Sequence, residues 1–240
     1  MPLFASMEPR TASALEHSVL TDLDRAGVAL DYVLLTSNGI GESGALHREA
    51  ARAGVAAASR SRRIDSQVCD GFSGRRMPVD DFYGWQFDRA NRRLRVPAVH
   101  PAKGGFAAPL EPLRSTLDLD AVRRQPPYDI GFGPYRWADD DGSGDLIWPR
   151  EAMAFVAGYA RAFTEPPYPL EVTGRNLQNL FLRTDDLILH HPDTRTEIWW
   201  FDGGDWAEYF AAGLEWGEAW VATVRTSTSD FVAICASASD

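Results

Sequence analysis

The sequence predicts an α+β protein. A mostly antiparallel sheet with flanking helices fills its C-terminal half, and a strand–turn–helix unit lies in its N-terminal half. Three observations predict this. Late in the chain, strand-like runs follow one another with only single helical stretches between them, which favours antiparallel pairing over β-α alternation. Near the start, an apolar run at 28–35 enters Gly39-Ile-Gly-Glu-Ser-Gly44 and then a helical pattern. The composition, 45% hydrophobic and 11% aromatic over 240 residues, is ample for a packed core and argues against disorder as the main state.

The elements follow in order. Residues 11–26 read as a helix: Thr11 or Ser13 caps the first turn, Leu15, Val19, Leu20 and Leu23 recur at helical spacing, and Gly27 closes it. Residues 28–36 read as a buried strand. A short helix at 45–53 stops at Gly54, and the alanine-rich 55–59 fits either a second strand or more helix. Residues 64–83 show no clear period. A hairpin is expected at 83–87 and 92–96, around the polar turn 88–91. Pro97, Pro101, Pro109, Pro112, Pro126 and Pro127 remove ladder donors and fix φ, so 97–127 is expected to be loop-rich, with a short helix near 115–124. This stretch is the best boundary, dividing 1–125 from 126–240, with one continuous domain as the alternative.

In the second half, Pro149 suits an early helical position, and 150–163 reads as an amphipathic helix with Met153, Val156, Ala157, Ala160 and Phe163 inward. Strands are expected at 169–173, 177–183, 186–191 and 196–201, with Asp185-Asp186 as a tight turn. Residues 205–214 read as a helix. Residues 220–225 and 231–236 form a last hairpin around Thr226-Ser-Thr-Ser-Asp230.

Charge is uneven. Residues 1–127 hold 17 basic against 15 acidic side chains, whereas 128–240 hold 7 against 19, within a net charge of −10. An acidic second half disfavours nucleic acid or an anionic membrane as partner and suits a basic protein. Lys103 is the one lysine beside 23 arginines, a bias that a GC-rich genome produces, as in many bacteria. The two cysteines, Cys69 and Cys235, have neither metal-site nor disulfide-framework spacing, which fits a reducing cytoplasm. The first ten residues lack the basic start and apolar core of a secretory signal, and no run reaches the ~18 apolar residues of a membrane span.

The glycine turn is the motif closest to chemistry. Glycines let the backbone approach a diphosphate, and a helix N-terminus offers free N–H groups and partial positive charge. Gly39, Gly41 and Gly44 would line such a turn. Arg60 and Arg62, with Arg63, would stand where a dinucleotide fold chooses its cofactor, and arginines there favour NADP. In Thr36-Ser-Asn-Gly-Ile-Gly41 and Ala50-Ala-Arg-Ala-Gly54 the stretch is similar to the nucleotide-binding start of short-chain dehydrogenases. The resemblance covers residues 28–63 and implies a parallel-sheet nucleotide fold with NADP. Beyond it, β-α alternation does not resume, no tyrosine has a lysine four positions on, and a helix precedes the first strand.

Three further groups draw attention. Asp139, Asp141 and Ser143 sit at the first, third and fifth positions of a calcium-loop pattern with Gly144 sixth, but the twelfth position is Arg150. His190-His191 falls at the end of an expected strand near Asp193 and Glu197. Adjacent strand residues face opposite ways, so both cannot easily bind one metal; one could serve as a general base beside a carboxylate, but a histidine at a strand end is more often a surface or half-buried residue, and no catalytic residue is assigned. Five of eight tryptophans are late, and Trp199, Trp200 and Trp206 with Asp205 and Glu215 could anchor a partner on an acidic rim. The resulting expectation is a soluble, cytoplasmic, protein-binding or regulatory module of the immunity-like kind, acting through an acidic, Trp-rich C-terminal surface. The alternative is an NADP- or nucleotide-binding oxidoreductase-like protein using 39–44. Whether the chain is an enzyme stays open.

Overall fold

The computed structural model describes residues 6–39, 41–64, 67–69, 71–84, 86–94, 98–100, 105–107, 158–164, 170–204, 206–211 and 219–237. The chain divides into two compact units, one of Met1–Phe82 with Ala162–Asp240 and one of Tyr83–Arg161. The larger unit is built on a six-stranded sheet, and the α+β class read from the sequence is what the structure has.

Strand β1 (Met7–Pro9) is followed by helix α1 (Ala14–Ala26), strand β2 (Leu30–Ser37) and helix α2 (Ser43–Ser61). Short elements come next: β3 (Gly74–Arg76), α3 (Val79–Tyr83), β4 (Phe87–Asp88), β5 (Arg93–Leu94), β6 (Ala98–His100) and β7 (Gly105–Ala107). Helices α4 (Tyr159–Thr164) and α5 (Gly174–Leu187) lead to β8 (Ile198–Asp202), a 3-10 turn (Glu208–Phe210), β9 (Ala219–Arg225) and β10 (Asp230–Ser237). The large sheet has the order β1-β2-β10-β9-β8-β3, with every neighbouring pair antiparallel.

Its centre is the last hairpin, whose register sets Phe231 opposite Arg225 and Ser237 opposite Ala219. Both faces of β10 are buried, so its sequence is a continuous apolar run rather than an alternation. On one face Phe231, Ala233 and Cys235 join Leu35, Val221 and Phe201 in a cluster with Leu46, Ala50, Ala51, Val55 and Ala58 of α2. On the other, Val232, Ile234, Ala222, Val224 and Ile198 are also buried, and Trp200 stacks on Trp220 with centroids 4.1 Å apart.

Helix α1 begins as its sequence requires. Ser13 Oγ accepts the Glu16 N–H, and Glu16 Oε2 accepts the Ser13 N–H at 2.7 Å, a capping box that satisfies two donors at once. Gly27 ends the helix at φ 75°, a left-handed position that glycine takes without a Cβ penalty. Helix α2 runs on through Gly54 to Ser61, so the 55–59 segment is helix and no second strand follows it directly.

The strands expected at 177–183 and 186–191 are not formed, because α5 occupies 174–187 and Asp185-Asp186 is its last turn rather than a tight turn. Leu177, Leu180, Phe181 and Thr184 fall at i, i+3, i+4 and i+7 on one buried face, a helical stripe that outweighs the local run of apolar residues. Phe163 meets Phe181 edge-on at 5.0 Å. Residues 170–173 carry no strand. The β4–β5 hairpin pairs Phe87 with Leu94, as the turn at 88–91 predicts, and in that smaller unit Tyr83 packs on Phe87 and Tyr159. The expected helix near 115–124 and most of 150–163 lie outside the described residues. No described helix is long and apolar enough to cross a membrane.

Candidate functional site

Among the described residues, polar chemistry collects at three places in the larger unit. The first is the C-terminal end of α5. The helical stripe that buries Thr184 also turns Asp185 inward, leaving its side chain 0% exposed. Asp186 faces solvent. After Leu189 the chain reverses through two consecutive left-handed residues, His190 at φ 56° and His191 at φ 53°. Such conformations are unusual for residues with a Cβ and persist only where surrounding contacts hold them. Here the His191 N–H donates to the Asp185 carbonyl at 2.8 Å, and His191 Nδ1 lies 3.0 Å from Asp185 Oδ2. A buried carboxylate on one ring nitrogen fixes the orientation of the imidazole. The His191 side chain is 56% exposed. Asp185, Asp186 and His191 offer ligand-type atoms all within 4.8 Å of one another, the one group of this kind among the described residues.

The second place is the start of α2. His47 is fully buried, on the stripe that carries Leu46, Ala50 and Ala51. Its ring stacks on Trp199 at 5.8 Å and meets Phe231 edge-on at 5.2 Å. Nδ1 is 2.7 Å from Thr223 Oγ1. Nε2 is 3.8 Å from Glu197 Oε2, too far for a hydrogen bond, and has no hydrogen-bond partner among the described residues. Burial, partly opposed by Glu197, lowers the imidazole pKa to about 4. Burial pushes the Glu197 carboxyl up, but hydrogen bonds from Arg225 at 3.0 Å and from Ser43 hold it below its usual range.

At the far end of α2 stands the third. Arg62 Nε donates to Asp31 Oδ2 at 2.7 Å, and the buried Tyr209 hydroxyl donates to the same oxygen at 2.6 Å. Burial, with Cys235 and Asp31 nearby, drives the Tyr209 pKa well up, so the phenol stays a donor.

The residues singled out from sequence are distributed among these places. Gly39 exchanges hydrogen bonds with the Ser37 hydroxyl, and Gly41 has ordinary room beside Leu46. At Gly44 a Cβ would lie 2.8 Å from Trp199 Cη2, so the indole would have to shift to admit one. The nineteen-residue α2 separates this turn from exposed Arg60 and from Arg62, which is committed to Asp31. The rise of a helix makes that separation about 27 Å. Glycines and arginines are therefore not brought together. The N-terminus of α2 faces the Glu197 carboxylate, and β2 is antiparallel to both neighbours, unlike the first strand of a dinucleotide fold.

The late tryptophans divide as well. Trp199 is half-buried on the α2 face, whereas Trp200 points to the opposite face. Trp200 Nε1 donates to the Asp202 carboxylate, and Trp206 Nε1 to the Asp202 carbonyl. Trp200 and Trp206 are each 7% exposed, with Trp206 stacked on Phe72 at 4.1 Å. Asp205, Glu215, Asp139, Asp141 and Ser143 lie outside the described residues. Asp193 and Glu197, near the histidines in sequence, go elsewhere: hydrogen bonds from Arg195 hold the Asp193 carboxyl at about 2, and Glu197 joins Arg225. The carboxylate beside His191 is Asp185.

Sequence reasoning passed over His47, Asp31 and Tyr209. For His47 a signal existed, since it shares helical spacing with Leu46, Ala50 and Ala51. The Asp31–Tyr209 contact joins residues 178 positions apart and had no local mark. No family model matches this chain, and comparison with curated proteins and with solved structures finds no match.

Proposed function

We propose that the protein works through a divalent-cation site at the end of α5, built from Asp185, Asp186 and His191. One observation carries this: three ligand-type atoms from two carboxylates and an imidazole fall within 4.8 Å, and the anchoring carboxylate is fully buried. Two adjacent carboxylates in the last turn of a helix lie at the negative end of its dipole, where a cation is favoured. A mixed N/O set with one imidazole suits zinc or manganese better than the all-oxygen shell of calcium. Three protein ligands would leave positions open for water or substrate, the layout of a site that binds and polarises rather than one that only braces a fold. Without metal, the same pair supports proton transfer, with Asp185 orienting His191 and the exposed ring meeting solvent.

Calorimetric titration of the full chain with zinc, manganese and calcium tests this reading. The expected result is one site for zinc or manganese, weakened at least tenfold in both His191→Ala and Asp186→Asn. Saturating metal at about 100 times Kd should add about 2.7 kcal/mol of stability. No heat and no shift of Tm at millimolar metal would refute it.

A second reading rests on the 19 acidic against 7 basic residues in 128–240. It is an immunity-like or regulatory module that binds a basic protein, aided by the exposed Asp202 and Glu208 beside the Trp206 cluster. A pull-down with a basic partner that survives low salt and fails at high salt supports it; no partner at low salt removes it.

A further inference from the structure

We propose that His47 is a pH-responsive latch, holding the first turns of α2 against the sheet and releasing them when its imidazole takes a proton. The inference is independent of the cation site. Four parts of the chain meet on this one ring. Thr223 of β9 takes Nδ1 at 2.7 Å, Trp199 of β8 stacks on one face, and Phe231 of β10 meets it edge-on. Glu197, just before β8, faces Nε2 at 3.8 Å and also binds Ser43, the first residue of α2. The ring thus ties the start of α2 to three neighbouring strands.

A proton on this ring creates a fully buried cation. The charged groups acting on it are Glu197, which favours the charge, and Arg225 of β9 and Arg76 of β3, which oppose it. At 3.8 Å, Glu197 is already engaged by the Arg225 guanidinium at 3.0 Å, so its attraction is shared. Burial dominates and keeps the imidazole neutral down to about pH 4. An unfolded histidine takes its proton near pH 6.5. The released state therefore binds the proton more tightly than the closed one. Closure contributed by His47 is complete above pH 6.5 and is lost as pH falls toward 4. Gly44, where a Cβ would require the Trp199 indole to shift, places the helix start directly over that ring, so the stacked contact cannot survive a displacement of α2.

The test is imidazole proton NMR together with amide-exchange protection factors at 46–50, where the first intrahelical hydrogen bonds of α2 lie, from pH 8 to pH 2.5, on the full chain. The His47 resonance is assigned by its loss in His47→Gln. The expected result is a His47 midpoint near pH 4, with protection at 46–50 falling at least tenfold between pH 6.5 and pH 4 and levelling off below it. In Glu197→Gln the His47 midpoint should move to lower pH, because an attractive charge is gone. In His47→Gln the acid step should vanish. Protection that is unchanged down to pH 4, or that falls identically in His47→Gln, overturns the latch. Should His47→Gln not fold, an unmoved or raised midpoint in Glu197→Gln overturns it alone.

Discussion

Gly54 offers the sharpest test of how α2 is seated. It lies in the middle of a helix, where glycine is about 1 kcal/mol worse than alanine, so Gly54→Ala considered locally should stabilise the protein by that amount. The packing predicts the reverse. A Cβ at 54 would lie closer than 3.0 Å to the Ala233 Cβ and within 3.7 Å of Cys235 Sγ. Ala233 is fully buried on β10, a central strand paired on both sides, and its methyl has no rotamer by which to retreat. Relief requires α2 to lift from the sheet, loosening Leu46, Ala50, Ala51, Val55 and Ala58 together. Overpacking a dense core costs about 1–3 kcal/mol, and the immobile neighbour argues for the upper end. Subtracting the helical gain leaves a net loss of about 2 kcal/mol, or about 4–8 °C in Tm for a unit of this size. Urea unfolding followed by tryptophan fluorescence should show the midpoint falling by about 1 M with unchanged slope. Ala233→Gly added to Gly54→Ala should recover much of the loss, giving a coupling energy of about 2 kcal/mol. If Gly54→Ala equals or exceeds the wild type, the close seating of α2 on β10 is wrong.

Three further outcomes test other contacts. At the start of α1, Ser13→Ala should cost about 1 kcal/mol by urea unfolding, since one half of the capping box goes. The hydrogen bond from Arg10 at 2.6 Å is the main force holding the Glu16 carboxyl at about 2. A depressed carboxylate stabilises above its unfolded pKa and loses that contribution as pH falls toward 2. Glu16→Gln should therefore lose about 2 kcal/mol at pH 7 and almost nothing near pH 2, measured as Tm against pH. Tyr209→Phe removes the hydroxyl that reaches Asp31 and the Cys235 carbonyl, and should cost about 1–2 kcal/mol while leaving the Arg62–Asp31 pair in place. A Tyr209→Phe protein as stable as the wild type would mean that this buried donor contributes nothing.

What was legible in the sequence was local. The Ser13 cap, Gly27 stop, last hairpin and 88–91 turn are each decided within a few residues, and each is found. The parts misread or left open were decided at a distance. Residues 174–187 form a helix because Leu177, Leu180 and Phe181 together meet a core, and a window showing only Leu-Phe-Leu cannot reveal that demand. Residues 55–59 are helix because α2 needs nineteen residues to cover its face of the sheet. The site was visible in parts. Asp185-Asp186 and His190-His191 were both conspicuous, but reading them as a turn and a strand end set them apart. Only the reversal through two left-handed histidines places His191 on Asp185.

The glycine turn shows why a short motif takes its meaning from the sheet beneath it. Gly-x-Gly-x-x-Gly binds a diphosphate when its strand is parallel to its neighbours, since the helix N-terminus then opens onto a crevice at the strand ends. In this chain β2 runs antiparallel to β1 and β10, and β9 and β8 continue the meander beyond them. That path carries the residue just before β8, Glu197, to the start of α2, where its carboxylate takes the hydrogen bond from Ser43 and faces His47. The partial positive charge of the helix end is answered from within the chain. A phosphate arriving there would meet a carboxylate first. Gly44 then serves the Trp199 indole, as Gly54 serves Ala233, and both glycines record how closely one helix approaches one sheet.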